Sequence, residues 1–313
     1  MRNIITGGAG FIGYNLTKKL LENNEHVICI DNFISSDKSK IENLIDNPLF
    51  ELLIHDVTKP LNIKADKIWH MACPASPTKY LEEPISTLKT NFMGTYNMLE
   101  LAKISNAKFF FASTSEIYGD PNMHPQPENY NGSVNPFSSR ACYSEGKRIS
   151  ETLCFEFKQK YNLDIKIARI FNCYGPYMSE KDGRVIVNFI RQALKKESLT
   201  IYGDGLQTRS FCFVDDVVEA IIKLMNTNYD EPLNVGHNEE ISIKDLALKI
   251  KSKINNNLKI IYQDKRNSEP KRRNPNINLA KEKLNWAPKI TLDNGLDITI
   301  DFLKKKIVKS YSV

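Results

Sequence analysis

Short apolar runs alternate with longer stretches whose apolar positions recur every three or four residues. "NIIT" (3–6), "HVICID" (26–31), "FELLIHD" (50–56), "DKIWHMA" (66–72), "AKFFFAST" (107–114) and "DIKIARIF" (164–171) read as strands. Between them, 11–23, 85–105 and 142–161 carry helical spacing. That alternation predicts an α/β protein built on a doubly wound parallel sheet. The second half is less regular. Residues 185–195, 215–226 and 243–254 read as helices, and 199–205 and 231–236 as strands ending in turns. The stretch 262–278 is polar, basic and proline-containing, either a surface loop or one that closes over an anion.

Composition narrows this only slightly. A 313-residue chain with 41% hydrophobic and 26% charged residues suits a globular protein of two lobes or one enlarged domain. The net charge of +6 is concentrated in 264–275 and 302–309, without interleaved aromatics, so a nucleic-acid partner is not expected. The six cysteines form no CxxC pair and no zinc-type cluster, which points to a reducing compartment and no metal. Glycines interrupt the N-terminus before an apolar segment forms, and no run reaches the ~20 residues that span a bilayer. The expectation is a cytoplasmic protein with no membrane partner.

The chemistry begins in "ITGGAGFIG". Gly7, Gly10 and Gly13 follow the first strand directly and open the first helix. Such spacing gives a tight turn, close backbone approach to a pyrophosphate and close helix–strand packing. The helix N-terminus offers free N–H groups to the anion. Asp31 ends the second strand, 18 residues after Gly13, where a carboxylate can bind ribose hydroxyls and repel a 2′-phosphate. The reading is a Rossmann-type site that prefers NAD to NADP. Asp56, ending the third strand, is expected near the adenine, or else as a turn aspartate.

In "YSEGK", Tyr143 and Lys147 share one helix face. An ammonium beside a phenol stabilises phenolate, which can take a hydroxyl proton while hydride leaves the same carbon. The glycine motif, Asp31, Thr114 and this pair together resemble the extended short-chain dehydrogenase/reductases that act on nucleotide sugars, over residues 1 to about 305. The resemblance implies Tyr143 as acid/base, Lys147 as orienter of tyrosine and ribose, and Thr114 as partner of the reacting sugar hydroxyl. It adds Phe11, Ile12, Asn32, Val57, Met71 and Ala72 to the cofactor contacts. It also implies a homodimer through helices 85–105 and 142–161.

Within that group, Thr114 is followed by Ser115 and Glu116, not by the Asp-Glu of 4,6-dehydratases or the small residues of simple 4-epimerases. This form, with "ACPASP" (72–77), "ARIFNCYGP" (168–176), "DGRVIVNF" (182–189), "YGDGLQTRSF" (202–211) and "EPKRRNPNI" (269–277), is similar to the UDP-glucuronic acid decarboxylases, or UDP-xylose synthases. The implied substrate contacts are Pro74, Ala75, Ser76, Asn172, Arg184, Tyr202 and Arg209. Ser115, Glu116 and Arg273 are placed at the reacting carbons, with Arg272 an alternative to Arg273, and a structural ion pair an alternative role for Glu116. Residues 1–171, with 213–236 returning, form the expected cofactor domain; 172–212 and 237–313 form a smaller C-terminal substrate-binding lobe. The alternatives are a UDP-glucuronate 4-epimerase or a decarboxylase releasing the 4-keto pentose. A dehydratase and a non-catalytic NAD-binding protein rank below them. His70 is expected to be a satisfied strand-end histidine.

Overall fold

The computed structural model describes residues 1–265 and 271–310. Seven strands form the main sheet: β1 (Arg2–Thr6), β2 (His26–Asp31), β3 (Phe50–Ile54), β4 (Lys67–His70), β5 (Lys108–Thr114), β6 (Ile165–Ile170) and, after β7 to β10 below, β11 (Pro232–Val235). Their order is β11-β6-β5-β4-β1-β2-β3, all pairs parallel. The order reverses between β1 and β4, so a crevice opens at the carboxyl ends of these strands.

Alternation along the strands sends side chains to both faces. Phe109 and Phe111 pack with Met98, Leu99 and Leu101, whereas Phe110 packs with Leu16, Leu20, Val217 and Ile221 on the other side. Helix α1 (Phe11–Glu22) flanks the second face. The first is covered by α2 (Pro77–Glu82), α3 (Pro84–Lys89), α4 (Thr95–Ser105) and α5 (Ala141–Tyr161). The single helix expected over 85–105 is broken by a π-helical turn at Thr90–Gly94. Its cause is side-chain capture: Ser150 Oγ donates to Asn91 O at 2.9 Å, and Thr95 Oγ1 donates to Ser150 Oγ at 3.1 Å. A carbonyl drawn out of the ladder by α5 leaves the local turn widened.

The remaining strands are short: β7 (Cys173–Tyr174), β8 (Leu199–Tyr202), β9 (Thr208–Ser210), β10 (Cys212–Phe213), β12 (Glu240–Ser242), β13 (Ile260–Gln263) and β14 (Arg272–Arg273). They make three small sheets, β10-β7, β12-β9-β14 and β13-β8. Helices α6 (Val185–Leu194), α7 (Val214–Met225), α8 (Ile243–Ile254), α9 (Asn278–Leu284) and α10 (Leu292–Ser310) complete the fold. The sequence pattern misses α2, β7, β9, β10, β12, β13, β14, α9 and α10. Two- and three-residue strands carry no period. Of the basic stretch 262–278, residues 266–270 lie outside the described residues, while 271–276 cross back against the site.

Candidate active site

A cavity of about 750 Å³ runs along the crevice from the glycine-rich turn to β14. Gly7 holds φ +69° at the end of β1, and a Cβ there would come within 2.9 Å of the Ala72 backbone. A Cβ on Gly13 would overlap the Gly7 carbonyl oxygen. The glycines thus let the turn pack directly on the residues just after β4 and on the start of α1, which leaves the backbone N–H groups at the helix N-terminus facing the cavity. Asp31 is buried at the end of β2, where Oδ2 accepts from Ala9 N at 3.0 Å, and Oδ1 from Phe33 N at 2.9 Å and Ser36 Oγ at 2.7 Å. Three bonds leave carboxylate lone pairs for a ribose hydroxyl. Phe11, Ile12, Asn32, Val57, Met71 and Ala72 line the same end. Asp56 does not line it. Its Oδ1 accepts from Thr58 N and Oγ1, both at 2.9 Å, so it caps its own turn. Arg184 lies over the Phe11 ring, 5.9 Å from its centroid, in a two-point pair with Asp182 at 2.5 and 2.8 Å. It lines the cavity near both Phe11 and Tyr143.

The opposite end collects the acid/base groups. Thr114 Oγ1 accepts from Glu116 N at 3.2 Å, capping a 3-10 turn, Ser115–Tyr118, that follows β5. That cap is why hydroxyl and carboxylate arrive together at a strand end. Thr114 stands close enough to the Tyr143 hydroxyl to favour its ionised form. Its ring lies parallel to Tyr80 (4°, centroids 5.0 Å apart). Lys147 Nζ donates to Ala112 O at 2.9 Å and sits over the Phe111 ring. The expected lowering of the phenol is not met by the protein alone. Burial pushes the Tyr143 hydroxyl up, Cys73 adds to the rise, and burial also pulls Lys147 down. A positive charge beside the ring must come from elsewhere.

Glu116 is held by Arg140 at 3.1 Å and, in a shorter pair, by Arg273. Burial pushes its carboxyl up, but Arg273 and Arg140 outweigh it and hold the group below the ordinary carboxylate range. With a folded pKa below the unfolded one, this pairing stabilises the fold above the unfolded value, about 4.3, and is lost as pH falls through the folded value. Arg273 is only 3% exposed, and its Nε is buried with no partner among the described residues. Arg272 instead points out, to Glu240 at 3.0 Å and His124 at 2.7 Å. Of the two adjacent arginines, the cavity therefore takes Arg273. Pro74, Ala75, Ser76, Asn172, Tyr202 and Arg209 also line the cavity, Arg209 opposite Arg273 in the β9–β14 pair. His70 is satisfied, with Nδ1 2.8 Å from Thr6 Oγ1 and Nε2 3.2 Å from Thr95 Oγ1. Burial, and then Lys147, push it down to about 3. Arg140 and Tyr80 escape the sequence reading. Arg140 is adjacent to the "ACYSEGK" stretch, but only the folded turn shows that it faces Glu116.

The profile of the GDP-mannose 4,6 dehydratase family matches residues 4–299. The chain belongs to this family. Its members are extended short-chain dehydrogenase/reductases, and among curated family relatives the similarity is high and long. Arabidopsis thaliana UDP-glucuronic acid decarboxylase 3 is 49% identical over 95% of this chain and 87% of its own length. Xenopus tropicalis UDP-glucuronic acid decarboxylase 1 is 47% identical over 98% of this chain and 73% of its own. Solved folds agree. The UDP-glucose 4-epimerase of Thermotoga maritima, with UDP-glucose, superposes with TM-score 0.90 at 27% identity, over 98% of this chain and all of that one (100%). The UDP-glucuronic acid 4-epimerase of Bacillus cereus, with UDP-glucuronic acid and NAD, gives 0.87 at 28%, over 98% and 100%. Among the described residues, no helix of this family member is long and apolar enough to cross a membrane.

Proposed function

We propose that the protein decarboxylates UDP-glucuronate to UDP-xylose with NAD. The observation that carries this reading is the convergence of Thr114, Tyr143, Glu116 and Arg273 on one cavity whose other end is a dinucleotide cradle. Similarity of almost half the residues to UDP-glucuronic acid decarboxylases supports it. NAD bound at the glycine-rich turn supplies hydride acceptor and later donor, and a positive charge near the catalytic phenol. Tyr143, beside Thr114, takes the proton of the sugar 4-hydroxyl as C4 becomes a ketone. Lys147 orients the tyrosine and the ribose. The C6 carboxylate is then β to a carbonyl. The C5–C6 bond breaks, its electrons flow into the ketone, and CO2 leaves. C5 of the enolate takes a proton, C4 is reduced again, and Tyr143 returns its proton to O4. Cofactor is regenerated at every turnover.

Arg273, with an unpartnered buried Nε, receives the C6 carboxylate. Glu116 beside it repels that carboxylate and relays the proton to C5; Ser115 shares this pocket. Asn172 and Arg209 take the UDP diphosphate, Tyr202 packs on uracil, and Pro74, Ala75 and Ser76 line the sugar. Arg184, near both Phe11 and Tyr143, stays assigned to the substrate. A second reading keeps Glu116 as a counter-ion only, which its double arginine pairing favours. Residues 1–171 with 213–236 form the cofactor unit, supported by β11 joining the main sheet beside β6. The six cysteines, all free, fit a reducing cytoplasm.

Incubation with UDP-glucuronate and no added NAD tests the reading. UDP-xylose and CO2 are expected. UDP-galacturonate without CO2 would overturn it in favour of epimerisation, and a released 4-keto pentose would move it to the other decarboxylase. Asp31→Ala should weaken NAD binding about tenfold by loss of one ribose contact to a charged group. Calorimetric titration checks this, and unchanged affinity removes Asp31 from the cofactor site.

A homodimer through α3–α5 is supported by an exposed apolar face. Ile85, Phe92 and Tyr96 on one side and Phe155 on the other are 69, 46, 44 and 56% exposed. Phe92→Asp is expected to give monomers by light scattering; a dimer that survives it must use another face.

A further inference from the structure

Arg273 and Glu116 are 157 residues apart in sequence, so something must bring β14 to the turn after β5. Two anchors hold the arginine strand. Pairing with β9, Arg273 opposite Arg209, ties it to the wall that carries Arg209. The other anchor reaches the Glu116 side and centres on Gln126, which is fully buried. Gln126 Oε1 accepts from Asn274 N at 2.9 Å, and Gln126 N donates to Asn274 O at 2.9 Å. Asn276 N donates to Gln126 O at 2.9 Å. The amide nitrogen is spent on its own segment, donating to Met123 O at 2.7 Å. Asn234 of β11 donates to Gln126 O at 3.0 Å, and its Oδ1 accepts from Tyr118 of the Glu116 turn at 2.8 Å. The residue next to Arg273 is thus gripped on N–H and C=O by a side chain and backbone ten positions beyond Glu116. The outer Arg272–Glu240–His124 contacts lie at the surface, where ion pairs contribute little.

We infer that Gln126 is a positioning residue for decarboxylation: its grip on Asn274 sets where Arg273 meets Glu116 and the C6 carboxylate. The inference rests on the activity proposed above. It separates the two halves of the reaction by place. Oxidation at C4 uses Thr114, Tyr143 and Lys147 on β5 and α5, which Gln126 does not touch. Loss of CO2 uses Arg273, whose backbone Gln126 fixes. A shift of about 1 Å in a reacting group can cost 10²-fold.

The test compares Gln126→Leu, of similar size without the amide, and Gln126→Asn, a buried amide one methylene too short. Three quantities are read: the affinity for UDP-glucuronate, cofactor reduction by its near-ultraviolet absorbance, and CO2 release. Both variants should reduce cofactor as the unaltered protein does once saturated with UDP-glucuronate, which they bind more weakly through the displaced Arg273. They should release CO2 about 10²-fold more slowly, so that reduced cofactor accumulates. Unchanged CO2 release overturns the inference. So does a parallel loss of reduction and CO2 release in the Asn variant while its melting transition stays cooperative. An unaltered protein that reduces its cofactor with UDP-glucuronate but yields no CO2 overturns the activity reading itself, whatever the variants do.

Discussion

Replacing Tyr143 by Phe is expected to abolish turnover while leaving NAD in place. The substitution removes one oxygen, beside Thr114, and keeps the ring stacked on Tyr80. Two other ionisable groups of the cavity are already engaged. Lys147 donates to the Ala112 carbonyl, and Glu116 is engaged by two arginines. The loss should be about 10²–10⁴-fold, the span for a positioned general base. Product formation gives the rate, and nucleotide released on acid denaturation gives the cofactor content. Full activity in the variant refutes the assignment of the base.

Glu116→Gln divides the two readings of that carboxylate. If Glu116 acts on C5 and repels the C6 carboxylate, the variant oxidises C4 but decarboxylates about 10²–10⁴-fold more slowly. Reduced cofactor then builds up on mixing with UDP-glucuronate, because hydride has left C4 and cannot return. An unchanged rate leaves Glu116 as a counter-ion. Stability gives a second, independent readout. The charged pairing of Glu116 with Arg273 and Arg140 stabilises the fold above the carboxylate range and is lost in acid. The variant should therefore melt lower at neutral pH and approach the unaltered protein as pH falls. The buried Arg273 guanidinium losing its paired anion is the reason.

Much of this protein is legible without coordinates. The strands of the main sheet have apolar runs because both faces are covered. The glycine spacing and Asp31 are local signals, since a turn and a strand end are made by neighbours in sequence. Tyr143 and Lys147 are visible for the same reason, one helix turn apart. Even the reaction type is foreshadowed by Ser115 and Glu116, because they follow Thr114 directly. Asp56 shows the limit. A strand-end aspartate can face a ligand or cap its own turn, and only the position of Thr58 shows that Asp56 Oδ1 does the second.

What the tertiary structure alone decides involves charges brought from far along the chain. Arg272 and Arg273 are adjacent and identical in type. The short strand β14 sends one to Glu240 and His124 and buries the other against Glu116. Arg184 reads as a substrate contact from its motif, and only the fold shows it over Phe11 and paired with Asp182. Arg140, Tyr80 and Gln126 have no motif at all. The sequence by itself determines the parallel sheet, the dinucleotide cradle and the oxidising pair. Each of these is a period or a spacing that a few consecutive residues fix through backbone geometry. The half proposed for decarboxylation, Glu116 with its arginines, depends on contacts across 24 and 157 residues. Such contacts follow from packing and hydrogen bonding of loops, which leave no repeat in the chain to read.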